Sequence, residues 1–152
     1  GTQADNIGFS CIARAANWQG TTTFSDGDTL RMRGASCEIN ESSNVSKVTT
    51  GGAQFVIALN VDAGNYVFII NNAIDTNSGG NCNAQLYDAT NSTYVGSKVH
   101  FAEGNFSRST IYYASLTGTT RFEYHVRDVS GTCIFFDSTS MFSCTFNIMQ
   151  IV

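Results

Sequence analysis

Apolar and polar residues alternate with a period of two through much of the chain. In Thr120-Arg-Phe-Glu-Tyr-His-Val-Arg127, Phe122, Tyr124 and Val126 share one phase, while Arg121, Glu123, His125 and Arg127 share the other. Leu59-Asn-Val-Asp-Ala-Gly-Asn-Tyr66 and Asn83-Ala-Gln-Leu-Tyr-Asp-Ala-Thr90 follow the same rule, and Gly, Asn, Ser or Thr bound each piece. This is the pattern of strands that bury one face and wet the other. No segment sustains a helical period with plausible caps, proline is absent, and β-branched and aromatic stretches favour strands.

Strands are expected over Ile7–Ala15, Thr29–Met32, Cys37–Ile39, Gln54–Asn60, Asn65–Ile74, Cys82–Ala89, Tyr94–Val99, Ser109–Leu116, Thr119–Val129, Cys133–Phe136 and Met141–Val152. Gly64 can supply a positive φ to the turn at Asp62–Asn65. Asn17–Asp28, around Trp18, and Glu41–Asn44 read as loops. Of these eleven segments about nine or ten are expected to count as strands of the domain; their short, regular spacing, with no repeat or linker, indicates one all-β domain over residues 1–152, an antiparallel sandwich or barrel. The apolar final strand needs a neighbour. A jelly roll supplies one by laying first and last strands side by side. An immunoglobulin-type sandwich ranks second, because Trp18 sits in a polar, loop-like context.

Several strands carry apolar residues on both phases: Val56 with Ile57, Phe68 with Ile69, Ile111 with Tyr112, Phe135 with Phe136, Ile148 with Met149. One core uses one phase, so the second needs another cover, and a neighbouring subunit is the economical one. Tyr112 and Tyr113 are adjacent, so one of them points away from the core. Tyr112, Tyr113, Phe135 and Met149 are the candidate interface residues.

Composition narrows the partners. Charged residues make up 13% of the chain, about half the usual ~25%. The net charge is −4, and Lys47 and Lys98 are the only lysines. No basic run exists to neutralise phosphates, which argues against nucleic acid and against an anionic membrane surface. No apolar run approaches the ~20 residues of a membrane helix, and the start of the chain has neither a basic nor an apolar leader segment. The five cysteines (Cys11, Cys37, Cys82, Cys133, Cys144) form no CxxC pair. Cys11 and Cys144 share the phase of apolar neighbours, so core thiols are expected rather than a disulfide framework or a zinc site. Asn40, Asn44, Asn91 and Asn105 head N-x-S/T triplets, close to the roughly three that chance gives at this composition.

No catalytic constellation is legible. His100 and His125 are the only histidines, and no nucleophile elbow, metalloprotease helix or phosphate-binding glycine loop is present. His125 falls on the outward phase of its strand and reads as a solvated or interface-facing residue. Asp26-Gly-Asp28 reads as a polar turn rather than a calcium loop, since calcium takes six or more oxygens. No carboxylate pair is singled out for glycoside hydrolysis. The expectation is no enzyme, no cofactor and no metal. Trp18, Tyr94 and Phe101 are aromatics in polar contexts, the kind on which a sugar stacks its apolar face.

The three alternating pieces, in this order, resemble the small jelly-roll domain near the C-terminus of phage tail fibres and tailspikes, related in shape to C1q/TNF-like trimers. There the pattern runs leucine, alanine-glycine, any, tyrosine; then leucine-tyrosine-asparagine or aspartate, any, threonine; then threonine, any, phenylalanine-glutamate. The resemblance spans a bit under half the chain. It departs from the family at Asn77–Asn83, where phage versions carry basic residues, and gives no match in the N-terminal third. It implies a homotrimer in the virion, assembled in the host cytoplasm, that binds a host-surface polysaccharide or protein receptor and other virion proteins. A purely structural virion protein (capsid decoration or fibre clamp) is the second reading, and a secreted C1q/TNF-like ligand the third.

Overall fold

The computed structural model describes residues 6–7, 13–14, 22–23, 25–29, 31–33, 44–47, 54–56, 58–77, 80–101, 104–131, 134–135 and 143–151. Every regular element among them is a strand, and every pairing is antiparallel. The short segments are β1 (Asn6–Ile7), β2 (Ala13–Arg14), β3 (Thr22–Thr23), β4 (Arg31–Arg33), β5 (Val45–Lys47), β6 (Gln54–Val56), β7 (Ala58–Val61) and β13 (Ile134–Phe135). The long ones are β8 (Gly64–Asn77), β9 (Asn81–Asp88), β10 (Thr93–Phe101), β11 (Gly104–Leu116), β12 (Thr120–Ser130) and β14 (Ser143–Ile151). No helix among the described residues is long and apolar enough to cross a membrane.

Two main sheets pack face to face. The seven-stranded sheet is centred on β8, which pairs with β11 along one edge and with β14, then β13, along the other. The second sheet runs β10-β9-β12-β7-β5, and β4 and β6 form a separate pair. The first and last strands lie side by side as expected, Asn6 opposite Met149 and Ile7 opposite Ile148. The segment expected as one strand over Gln54–Asn60 instead serves two sheets: β6 pairs with β4, and β7 pairs with β12. Val45–Lys47, assigned no strand in the sequence reading, forms β5 against β7; its single apolar position, Val45, is buried.

The core lies between the sheets. Tyr66, Phe68 and Ile70 of β8, Ala114 of β11 and Ile148 of β14 meet Leu86, Val99, Phe101, Phe122, Tyr124 and Val126 of the opposing sheet. The rings of Phe68 and Phe122 sit edge-on across the gap at 4.9 Å. Cys82 is also fully buried there. Cys11, Cys37 and Cys133 lie outside the described residues, as does Trp18, and of Cys144 and Phe135 only the backbone is described.

Candidate functional site

Alternation along β8 sends Tyr66, Phe68 and Ile70 inward, which leaves Asn65, Val67, Ile69 and Asn71 on the outer face. Register builds rows on that face. Val67 pairs with Tyr113 on one side and Met149 on the other; Ile69 lies between Ile111 and Asn147. Asn65 lies between Ser115 and Ile151. Among the described residues nothing covers this face: Tyr113 is 70% exposed, Ile111 54% and Ile151 43%, with Val67, Ile69 and Met149 half-buried. Polar pairs border it at both ends, where Ser109 Oγ donates to Asn71 Oδ1 (2.6 Å) and Ser115 Oγ to Asn65 Oδ1 (2.8 Å). An apolar stripe with a polar border has the anatomy of a protein–protein contact.

The adjacent tyrosines divide as strand geometry requires. Tyr113 points out. Tyr112, expected at an interface, turns into the chain's own core: its ring meets Phe68 edge-on at 6.0 Å and lies over Gly96 of β10, where an added Cβ would stand 3.4 Å from Tyr112 Cδ1. Burial raises the Tyr112 phenol above its ordinary pKa, with a smaller push from Asp88. Phe101 is a correction of the same kind. It lies 0% exposed in the core rather than at the surface, because its phase on β10 matches that of buried Val99.

The outer face of the other sheet is polar and aromatic. His125, expected on the outward phase as a solvated or interface-facing residue, lies on that face but is only 7% exposed, covered from within the chain. Its ring stacks on Tyr87 at 4.4 Å, and Thr29 bridges to its backbone. His125 Nε2 lies 2.8 Å from Glu123 Oε1. A carboxylate only accepts, so Nε2 carries the proton, and Nδ1 accepts from the Tyr94 hydroxyl at 2.9 Å. Arg121 Nε donates to the other Glu123 oxygen at 2.8 Å. Tyr94, a candidate stacking residue, is half-buried, with the Arg127 guanidinium 3.6 Å from its ring centroid and Tyr87 tilted against it at 4.7 Å. Burial raises the Tyr94 pKa and Arg127 opposes the rise. An activated nucleophile needs the reverse shift.

The turn at Ser25–Asp28 closes the edge of β12 beyond the reach of β7. Gly27 N donates to Val126 O, Val126 N to Asp28 O, and Asp128 N to Asp26 Oδ1. The Asp28 carboxylate accepts from Ser25 N at 2.8 Å. Both carboxylates of this polar turn are thus engaged by backbone amides, Asp28 within the turn and Asp26 from β12.

An open cleft of about 730 Å³ lies between β10 and β11, lined by Ser97, Lys98, Val99, His100 and, from β11, Arg108–Ile111. The sequence reading left Lys98 and Arg108 without a role. The available signal was modest: Lys98 and His100 are two apart on the exposed phase of β10, and Arg108 follows within the next strand.

No protein-family model and no curated protein sequence matches the chain. Among solved structures it is similar to the crystal structure of the enzymatically active domain of tailspike protein 4 of bacteriophage CBA120, with 12% identity and a TM-score of 0.28. That match covers 89% of this chain and 20% of the tailspike chain, so the chain spans about a fifth of that protein's length.

Proposed function

We propose that this chain is a non-catalytic, self-associating module of a phage tail fibre or tailspike, of jelly-roll topology, that forms a homotrimer and binds a host-surface glycan. The observation that carries it is the uncovered apolar face, with Tyr113, Val67 and Met149 in one row and Ile111 and Ile69 in the next. A monomer in water has no use for such a face, whereas a closed ring of copies buries it. The resemblance of the three alternating pieces to the jelly-roll domain of phage tail fibres and tailspikes supports the threefold form and the virion setting. The low charge and the Asn-, Ser- and Thr-rich surface suit sugar hydroxyls. The absence of catalysis is supported by Tyr94, His125 and Glu123, which satisfy one another under cover rather than facing a cleft. Binding is by many weak contacts multiplied by threefold avidity.

Light scattering tests the association. The expected mass is three times the 16.4 kDa chain, falling to one chain for Tyr113→Lys. A wild-type monomer at micromolar concentration refutes self-association. Receptor binding is tested by staining intact host cells with the labelled domain, with loss of staining after the surface polysaccharide is stripped. If plausible hosts do not stain while virion proteins bind tightly, the module is structural.

A further inference from the structure

We infer that the cleft between β10 and β11 binds an anionic sugar, one bearing a uronate carboxylate or a phosphate. The inference deepens the glycan-binding reading above and rests on it. The chain is acidic overall, with a net charge of −4 and only eight lysines and arginines, yet Lys98, His100 and Arg108 converge on this one cleft. Among the described residues that line it there is no Asp or Glu, and the carboxylate nearest Lys98 is that of Asp128.

The side chains of Lys98 and His100 on β10 are held in place. Lys98 Nζ donates to Asp128 Oδ2 at 2.6 Å, and Asn83 Nδ2 donates to the same oxygen at 2.8 Å. Because the carboxylate only accepts, the Asn83 amide has one consistent orientation, with Oδ1 towards His100 Nδ1 at 2.9 Å. His100 therefore donates through Nδ1, which leaves the unprotonated Nε2 of the neutral ring to accept from a sugar hydroxyl. Lys98 and Asn83 hold the Asp128 carboxyl below its ordinary pKa, so it stays ionised as the anchor. Ser97, Ser109 and Thr110 add hydroxyls for sugar hydroxyls, and Ile111 adds apolar surface for a face of the ring. The volume falls within the ~300–1,000 Å³ of small-ligand sites. Arginine and lysine together suit a carboxylate or a phosphate, the first through its planar fork and the second as a point charge. Ile111 belongs both to this cleft and to the apolar face, so the cleft opens beside the association surface.

The test is an amide-resonance titration of the intact domain with three probes: trigalacturonate, its methyl ester and glucose 1-phosphate. Shifts are expected at the Lys98, His100 and Arg108 amides with trigalacturonate, with glucose 1-phosphate or with both, and the responding probe names the anion. The ester should bind at least tenfold more weakly. Lys98→Ala/Arg108→Ala, both exposed positions, should weaken binding at least tenfold with an unchanged thermal midpoint. Asp128→Asn, which removes the counter-charge, should strengthen it several-fold. The proposal is overturned if neither anion binds, if the ester binds as well as the acid, or if both variants bind as wild type does. Mass by light scattering on the same samples separates the outcomes. A trimer that ignores anionic sugars defeats the cleft alone, and a monomer defeats the association.

Discussion

Gly64 opens β8 at φ 146°, and a Cβ built there would stand 3.1 Å from Gln150 Nε2 and 3.2 Å from the Tyr66 ring. Backbone strain and crowding act together, so Gly64→Ala should cost on the order of 1–3 kcal/mol. It should appear as a lower urea midpoint with an unchanged slope. Tyrosine ionisation gives a second check at this scale. Burial raises the pKa of Tyr66, with help from Asp62, and likewise raises Tyr94 and Tyr112 above the ordinary value of 10.0. The folded state holds these protons longer than the unfolded chain does. Stability is therefore fully present below pH 10 and falls as pH climbs through the raised folded values. Absorbance at alkaline pH should show these three tyrosines ionising late, together with a falling thermal midpoint.

Among the elements, the β9–β10 hairpin depends on one side chain. Asp88 is nearly buried, and its two oxygens accept from Asn91 N (2.9 Å) and Asn91 Nδ2 (2.8 Å), which holds the turn that passes through Ser92 at φ 54°. Asp88→Ala removes both charge-assisted bonds and should destabilise the domain by about 1–3 kcal/mol. Hydrogen exchange should quicken first in residues 89–95. The same hairpin positions β10, whose register shifts between Val95 and Val99, so loosening it should also blur the cleft that Lys98 and His100 line. β12 shows the complementary dependence. Its first half pairs with β7, while its second half is closed by the turn at Ser25–Asp28, far away in sequence. A strand with two different neighbours along one edge can face solvent in one half and be covered in the other.

For the whole molecule, the decisive surface is the apolar face around Tyr113 and Ile111, which none of the described residues covers. If copies bury the face around Tyr113, the thermal midpoint should rise with protein concentration by mass action. Tyr113→Lys should abolish that dependence while leaving the stability of the single chain within about 0.5 kcal/mol, as for an exposed site. Both sheets of the sandwich carry an outer face, and the two differ in kind. One is apolar and uncovered; the other is polar, aromatic and internally hydrogen-bonded.

By itself the sequence determined what period-two alternation can encode: an all-β chain, the phase of Phe122, Tyr124 and Val126, the turn at Gly64, and apolar residues on the second phase at Ile69, Ile111 and Met149. These are local properties, because side-chain direction in a strand follows from residue number alone. The tertiary structure decided whatever depends on which distant segment lies alongside. It turned Tyr113 rather than Tyr112 outward, buried Phe101, covered His125 with Tyr87 and the Thr29 segment, and brought Lys98 and His100 opposite Arg108. Alternation says that a strand has two faces. Register and packing across the sandwich, set by pairings as distant in sequence as Asn6 with Met149, decide which face meets water.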